Sequence, residues 1–277
     1  MAVVKNLLNF IADLLGRSRA TRRLLSYLQY RANGLLYGSI SLDDEAALAA
    51  SFLKRVESKT VFFDGGANRG LFAVAVMEQS QNPNLVGVLV EPNPQFSSLL
   101  EETCRTHDGK LLLSSVALSD KPGEADLFFE NDMSTLSSLT KRDLRHVGLE
   151  MSNSVRVEVE TIVNVLDRHN IESCDFLKLD LEGSEYAALL GASPLLATGK
   201  ISALSFEFGG CNIDSRTFIK DFWRLLVVQY GYKLYRVLPG RRVMAIEYYD
   251  ESLEQFQWQT LLACRKDVHP AWPVHPH

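Results

Sequence analysis

The sequence is poor in cysteine and has no long apolar run. Its four cysteines lie far apart, and no two have the CxxC spacing of a zinc site or a redox pair. We therefore expect buried free thiols in a reducing cytosol rather than a disulfide framework. No apolar stretch approaches the ~18 residues that cross a bilayer, and the first residues lack the pattern of a secretion signal. A cytoplasmic location is the expectation.

An excess of basic residues is also lacking. The formal net charge is -5, which provides no basic surface for a nucleic acid, and none is expected as a partner. The charge is uneven, because residues 1–31 carry six basic side chains and one acidic one. Residues 3–30 also have apolar side chains at helical spacing. We interpret this basic helix as packed on the protein body, with a membrane surface or a partner as alternatives.

Strand and helix patterns alternate from residue 60 onwards. Apolar runs without polar alternation indicate parallel strands covered on both faces, and they are residues 60–64, 85–90, 111–118, 176–181 and 201–208. With the last two strands, 232–238 and 243–249, they predict a Rossmann-like α/β fold, a seven-stranded and mostly parallel sheet with a terminal antiparallel hairpin. The predicted units are a helical extension at 1–58, a domain at 59–267 and a flexible tail at 268–277.

Residues 123–162 interrupt this rhythm. Apolar and polar residues alternate at 124–130 and 155–161, which is typical of half-exposed antiparallel strands. Between them, residues 131–154 are polar and rich in serine. A long connection within a compact domain is usually functional or disordered. We interpret this one as a lid or an acceptor-binding loop.

A glycine-rich turn follows the first predicted strand, with the sequence Asp64-Gly65-Gly66-Ala67-Asn68-Arg69-Gly70. A dinucleotide site would use G-x-G-x-x-G to hold a pyrophosphate, whereas here an acid precedes the glycines. That carboxylate would repel a pyrophosphate and attract the amino group of a bound amino acid. The turn therefore favours S-adenosylmethionine over NAD, with a turn that binds no ligand as the alternative. The residues predicted to contact the cofactor are Asp64, Gly65, Gly66, Ala67, Asn68 and Gly70.

A second acidic residue, Glu91, ends the second predicted strand 27 positions after Asp64. An acid at this place can accept hydrogen bonds from both ribose hydroxyls of an adenosine. The neighbouring Pro92 and Asn93 are included in the predicted cofactor site. The adenine ring is expected to lie against an apolar wall at the third strand, formed by Val116 and Ala117, with Asp120 near its amino group.

Acidic residues also follow the strand at 176–181. Asp180 and Glu182 lie near the end of this strand, and Glu207 ends the next one, so all three are expected at one edge of the sheet. Crowded acids raise each other's pKa, which makes one of them a candidate general base for an acceptor hydroxyl. The group is also compatible with a divalent metal, although none is predicted. Helix capping is the structural alternative.

Four motifs of the chain resemble those of the FkbM-type methyltransferases, in the same order: Phe63-Asp64-Gly65-Gly66-Ala67-Asn68-Arg69-Gly70, Val90-Glu91-Pro92-Asn93-Pro94, Val116-Ala117-Leu118-Ser119-Asp120 with Gly123, and Phe176-Leu177-Lys178-Leu179-Asp180-Leu181-Glu182-Gly183-Ser184-Glu185. The last motif is the most specific, and Gly65 stands where the family more often has valine. The resemblance implies an S-adenosylmethionine-dependent enzyme that methylates hydroxyl oxygens on natural products or sugars. It further implies cofactor contacts and active-site positions for matching residues, namely Asp64, Gly66, Asn68 and Glu91 for the cofactor and Asp180 and Glu182 for the active site.

The acceptor site is the least specific part of the prediction. Residues 134–139 offer hydroxyl groups to a small-molecule or glycan acceptor, and His146 is a third candidate base after Asp180 and Glu182. Three tryptophans (Trp223, Trp258 and Trp272) could stack on a sugar. We predict an O-methyltransferase. The alternatives are a cofactor-binding module that docks on a membrane and, less favoured, an NAD-linked oxidoreductase.

Overall fold

The computed structural model describes residues 2–35, 40–54, 58–130 and 136–275. Within these ranges the strands are β1 (Thr60–Gly65), β2 (Leu85–Val90), β3 (Leu111–Ser114), β4 (Ala117–Leu118), β5 (Gly123–Phe129), β6 (Asn153–Glu160), β7 (Cys174–Leu179), β8 (Ile201–Phe208), β9 (Lys233–Leu238), β10 (Arg242–Ile246), β11 (Gln259–Cys264) and β12 (Val274–His275). Nine of them form one sheet in the order β12-β10-β9-β11-β8-β7-β1-β2-β3. The remaining three form a small sheet in the order β4-β6-β5.

The α-helices of the described chain are α1 (Ala2–Gly16), α2 (Arg19–Ala32), α3 (Leu42–Phe52), α4 (Leu71–Gln79), α5 (Ser97–Thr106), α6 (Ile162–Arg168), α7 (Glu185–Gly191), α8 (Ser193–Ala197), α9 (Cys211–Ser215) and α10 (Ile219–Phe222). A π-helical segment, Trp223–Gln229, continues α10. The single helix predicted at 3–30 is two helices, because Ser18 caps the second one by accepting a hydrogen bond from the Thr21 N–H. No helix among the described residues is long and apolar enough to cross a membrane.

The central sheet confirms the predicted α/β fold class but has nine strands rather than seven. Strands β1, β2, β3, β7 and β8 are parallel, while β9 and β10 form the expected antiparallel hairpin. The sequence analysis missed β11, which lies between β8 and β9 and is antiparallel to both. It also missed β12, which pairs with β10 in the segment expected to be a tail.

The strand predicted at 111–118 is also wrong as a single element. Its first half, β3, pairs with β2 in the large sheet, whereas its second half, β4, pairs with β6 in the small sheet. The chain therefore leaves one sheet and joins the other between Ser114 and Ala117. The antiparallel pair expected at 124–130 and 155–161 is confirmed as β5 and β6.

The core lies on both faces of the large sheet, because successive side chains of a strand point to opposite faces. Phe62 and Phe63 are both fully buried, and each belongs to a different hydrophobic cluster. On one face Phe206 stacks on Phe222 with ring centroids 4.5 Å apart. The apolar strand runs are thus explained by two covered faces.

Helix α3 joins the extension to this body. It begins after Ser41, whose hydroxyl accepts a hydrogen bond from the Asp44 N–H. Phe52 stacks on Phe176 of β7 with ring centroids 5.5 Å apart, and α3 also packs against α4. These contacts bring the first turn of α3 to the edge of the sheet at which the strands end.

Candidate functional site

The carboxyl ends of the parallel strands border a cavity of about 760 Å³. Ligands of open α/β sheets bind at this edge, and the volume is typical of a small-molecule site. Helix α3 and residues 136–142 form other parts of the wall. The predicted site residues that line the cavity are Asp64, Gly66, Ala67, Asn68, Glu91, Pro92, Val116, Ala117, Asp180 and Glu182.

The turn after β1 approaches the turn after β7 so closely that it needs a glycine. Gly66 has a φ of 82°, and a Cβ at this position would lie 1.9 Å from the carbonyl oxygen of Asp180. The N–H groups of Gly66 and Ala67 both donate to the carbonyl oxygen of Val90, at 2.9 and 3.0 Å. Asn68 has a φ of 50°, a conformation that asparagine tolerates better than most residues. The turn is thereby fixed between β2 and β7.

Asp64 is a buried carboxylate without a hydrogen-bond partner. Its side chain is fully buried, and within the described chain neither of its oxygens accepts a hydrogen bond. The nearest cation is the ammonium of Lys178, 3.7 Å from Oδ1, which is too long for a hydrogen bond. Burial raises the pKa of Asp64 to about 6, against the opposing effect of Lys178. An acid left in this state has unused capacity to bind a cationic group from the cavity.

Glu91 is held in place by the backbone. Its Oε2 accepts a hydrogen bond from the Asn68 N–H at 2.8 Å, and its Oε1 accepts one from the Asn93 N–H at 2.9 Å. Each oxygen keeps a further lone pair for a hydroxyl donor in the cavity. Burial raises the pKa of Glu91 to about 7, although the two backbone hydrogen bonds oppose this shift. The carboxylate is thus fixed in position before any ligand binds.

Lys178 links the turn after β1 to the acids after β7. Its ammonium lies 3.2 Å from Asp180 Oδ2 and 5.2 Å from the ring centroid of Phe72. Burial disfavours the charged form, but Asp180 and Asp64 together raise the pKa of Lys178. The cation therefore stays charged and holds both aspartates at the cavity edge.

Asp180 and Glu207 form a second acidic pair. The Asp180 side chain is 40% exposed toward the cavity, and a hydrogen bond joins it to Glu207. Burial opposes ionisation of Asp180, but Lys178 and this hydrogen bond lower its pKa. Burial and the charge of Asp180 raise the pKa of Glu207 well above its ordinary value. Asp180 is therefore the ionised member, and Glu207 is the member that keeps a proton.

Glu182 is held by an arginine that the sequence analysis did not single out. Arg142 pairs with Glu182 and also lies 3.4 Å from Asp214. The Ser138 hydroxyl donates to the Glu182 carbonyl oxygen at 2.7 Å, which ties the loop to the turn. Burial and Asp180 raise the pKa of Glu182 to about 8, although Arg142 opposes this. The network attaches residues 138–142 to the acidic edge of the sheet.

Glu185 has a structural position. Its Oε1 accepts from the Leu181 N–H at 2.7 Å, and its Oε2 accepts from the Gly183 N–H at 3.0 Å. It is fully buried and absent from the cavity wall. The last acid of the sequence motif therefore shapes the turn after β7, whereas α7 itself has no side-chain capping hydrogen bond.

Several predicted site residues lie off the cavity wall. Gly65 is the buried last residue of β1, between Val90 and Leu179, and Gly70 begins α4. The backbone of Asn93 contacts Glu91 rather than the cavity. Exposed residues away from the wall are Asp120 and His146.

His146 lies in a second pocket of about 670 Å³, beside Arg145 and Ile213. This pocket shares Arg142 and Gly210 with the main cavity, but His146 is absent from the wall of that cavity. The structure therefore does not bring this candidate base to the main cavity. Of the hydroxyl-bearing stretch, Ser134 and Thr135 lie outside the described residues, whereas Ser137 and Ser138 line the cavity.

Two further residues line the cavity: one was not predicted, and the other was one of three candidates from the sequence. Glu45 projects from α3, and burial raises its pKa to about 7. An acid in the first turn of a helix ordinarily stabilises the start of that helix. The sequence therefore did not indicate that Glu45 lies in a site formed by distant strands. Trp258, one of three tryptophans considered for sugar stacking, also lines the cavity. Within the described ranges no group of three or more metal-binding side chains is placed to hold a metal ion.

Comparison with known proteins gives one family and a set of distant folds. Residues 64–234, more than half of the chain, match the model of the methyltransferase FkbM domain. No curated protein matches the chain. The similar solved structures include the methyltransferase FkbM from Methylobacillus flagellatus KT, with 14% identity over 74% of this chain and 44% of that chain and a TM-score of 0.48.

Two other similar structures contain S-adenosylhomocysteine. One is the O-methyltransferase from Bacillus cereus, with 8% identity over 93% of this chain and 96% of that chain and a TM-score of 0.44. The other is TrmK from M. capricolum, with 13% identity over 86% of this chain and 71% of that chain and a TM-score of 0.42. The chain spans less than half of the Methylobacillus protein but most of these two.

Proposed function

The chain belongs to the FkbM methyltransferase domain family, and we propose that it transfers a methyl group from S-adenosylmethionine to a hydroxyl oxygen of a small-molecule or sugar acceptor. The observation that carries this proposal is the buried Asp64 carboxylate, which has no hydrogen-bond partner and lines the cavity. We assign residues 59–267 to the methyltransferase domain and residues 131–154 to the acceptor-binding segment.

The residues of the cavity suit this cofactor. S-adenosylmethionine carries a cationic amino group, two ribose hydroxyls and an adenine ring, and when bound it supplies a methyl group activated by a sulfonium. Asp64 would accept hydrogen bonds from the amino group, and Glu91 would accept them from the hydroxyls. Val116 and Ala117 are buried apolar residues of the wall, and they would contact the adenine.

Asp180 is the candidate that accepts the acceptor's proton. It is the ionised member of its pair and is partly exposed to the cavity. A hydroxyl acceptor has a high pKa, so its attack needs a carboxylate that takes the proton as the new bond forms. Glu207 would stabilise Asp180 by donating its hydrogen bond. Glu182 is the second candidate, because its pKa of about 8 lies close to neutral pH.

Hydrogen-bonding groups on the wall favour a hydroxylated acceptor. The hydroxyls of Ser137 and Ser138 and the carboxyls of Glu45 and Glu182 all line the cavity. Carboxylates and hydroxyls accept hydrogen bonds from the alcohols of a sugar or a polyol. Trp258 offers an aromatic face on the same wall, and such a face binds sugar rings.

The proposal is tested by methyl transfer from labelled S-adenosylmethionine to a panel of sugars and hydroxylated natural products. With an acceptor identified, Asp180→Asn should lower kcat by roughly 10² to 10⁴, the usual value of a general base. Its affinity for S-adenosylhomocysteine should stay within a few-fold of the wild type. Asp120→Asn is the matched control, because Asp120 is exposed and off the cavity wall.

Full turnover by Asp180→Asn would remove the base assignment. Amines and thiols are assayed beside the hydroxylated compounds, and methyl transfer to amines or thiols alone would contradict transfer to oxygen.

A further inference from the structure

The two N-terminal helices expose apolar side chains that a packed helix would bury. Phe10 and Leu14 of α1 are 64% and 53% exposed, and Leu24 and Leu28 of α2 are 56% and 53% exposed. In α1 every described side chain from Val4 to Leu15 is exposed. Contiguous exposed apolar surface of this kind marks an interaction site rather than the usual scatter of single residues.

The apolar residues share one face of α1. Val4, Ile11 and Leu15 follow the spacing of one helical stripe, with Leu14 beside it. Lys5, Asn9 and Asp13 lie on the opposite side. The helix is therefore amphipathic without a partner in the described chain to cover its apolar side.

Basic residues accompany this apolar surface. Residues 1–31 contain six basic side chains against the single acid Asp13, which is about +5, while the chain as a whole is at -5. In α2, Arg19 and Arg23 lie on the side away from Leu24 and Leu28, and both arginines are exposed. An amphipathic helix with apolar side chains on one face and arginines on the polar face is the kind that lies in the plane of an anionic membrane.

The helix pair stands apart from the catalytic body. Helices α1 and α2 have contacts with each other, but neither helix contains a buried residue among those described. The described apolar side chains of these helices are therefore not buried against the domain.

We propose that α1 and α2 dock the enzyme on the surface of a membrane that contains anionic lipids. The apolar side chains would enter the boundary between headgroups and acyl chains, and the arginines would contact lipid phosphates. A second copy of the chain fits less well, because pairing of these helices would bring two strongly basic segments together. The exposed apolar residues of the body, such as Ile213 and Val228, belong to separate elements.

The experiment is flotation of the full-length chain with vesicles of phosphatidylcholine alone and with 30% phosphatidylglycerol, at low and high salt. The wild type should float with the anionic vesicles at low salt and bind the neutral ones weakly. The double variant Arg19→Glu/Arg23→Glu should bind roughly 30-fold more weakly, and Phe10→Ser/Leu14→Ser at least roughly tenfold more weakly. Flotation that is equal on both vesicle types and insensitive to salt would overturn the proposal.

Matched controls separate surface docking from loss of fold. Lys121→Glu/Lys266→Glu changes the same charge on exposed residues of the body, and Val228→Ser removes an exposed apolar side chain there. Both controls should float like the wild type. All variants should keep wild-type affinity for S-adenosylhomocysteine, which reports the fold of the catalytic body independently.

The alternative occupant has its own readout. If the protein does not float and instead forms a concentration-dependent dimer, membrane docking would be refuted. Loss of this dimer in Phe10→Ser/Leu14→Ser would assign the surface to a second copy of the chain. Wild-type flotation by both helix variants would refute membrane docking as well.

Discussion

Replacing Asp64 with asparagine should stabilise the ligand-free protein at neutral pH while it damages the cofactor site. Burial raises the Asp64 pKa from 3.8 to about 6, so the folded state resists ionisation of this group. At 1.36 kcal/mol per pH unit, the cost of the charged form is about 3 kcal/mol above pH 6. This cost is absent below pH 3.8, grows between pH 3.8 and pH 6, and stays constant at higher pH.

The asparagine amide would also be buried, and leaving it without a partner costs about 1–2 kcal/mol. That penalty does not depend on pH, whereas the penalty of Asp64 does. The free energy of unfolding of Asp64→Asn, relative to wild type, should therefore rise by about 2 kcal/mol between pH 4 and pH 7.5. Buried acids whose pKa does not depend on Asp64, such as Glu185, titrate in both proteins and cancel in this difference. The Asp64 charge also raises the pKa of Glu91, and its removal therefore adds to the rise in the same direction.

The measurement is urea denaturation of both proteins at pH 4 and pH 7.5 without ligand. Asp120→Asn is the control, because its exposed carboxyl should give no such rise. A stability difference between Asp64→Asn and wild type that stays constant with pH would refute a buried, poorly compensated Asp64.

Three further outcomes follow from the structure. Gly66→Ala should lower the free energy of unfolding by at least about 2 kcal/mol in urea denaturation, because φ is positive and the added Cβ would overlap a carbonyl oxygen. The control Gly123→Ala, with open space around it, should change this free energy by less than about 0.5 kcal/mol. Equal effects of the two substitutions would contradict the close approach at Gly66. Arg142→Gln should lower the free energy of unfolding by about 2–4 kcal/mol at pH 8, because it leaves Glu182 and Asp214 without their arginine partner. Arg145→Gln on the surface should lower it by less than about 0.5 kcal/mol. Similar losses for both variants would refute the buried network. His146→Ala should keep kcat within about twofold, since this side chain is off the cavity wall, and a large loss in a methyl-transfer assay would return it to the list of bases.

The part of the cavity proposed to bind the cofactor, at the turns after β1 and β2, was easier to predict from the sequence than the rest of the cavity. Its residues lie in turns directly after β1 and β2, and parallel strands bring those turns to one edge of the sheet whatever the rest of the chain does. The position of Asp64, Glu91 and Gly66 on the cavity wall was therefore predictable from local pattern alone. Gly65 was included because the sequence does not tell which of two adjacent glycines lines the cavity and which ends the strand.

The part of the cavity proposed to bind the acceptor is formed by contacts between segments that are distant in the sequence. Arg142 reaches Glu182 from a polar loop, and Glu45 reaches the cavity from a helix before the first strand. Neither position has a local pattern that sets it apart from ordinary exposed charge. His146 is the opposite case, because a histidine in a polar loop suggests chemistry, whereas the structure places it off the wall of the main cavity.

The strand count failed for a related reason. The six residues of β11, Gln259–Cys264, are all buried, but they follow an irregular segment and precede no helix, so the βα rhythm did not mark them. The break between β3 and β4 lies at Ser114 and Ser115, two polar residues inside a run that is otherwise apolar. An apolar run indicates burial, and it does not show with which sheet its two halves pair.

Calorimetric titration with S-adenosylhomocysteine tests the central claim most directly. The wild type should bind one molecule, more tightly as the pH rises through 6, because Asp64 must be ionised to hold the ligand's amino group. Asp64→Asn and Glu91→Gln should each weaken binding at least roughly tenfold, and Asp120→Asn should bind like the wild type. Absence of binding by the wild type, or unchanged affinity in both site variants, would contradict this cofactor site.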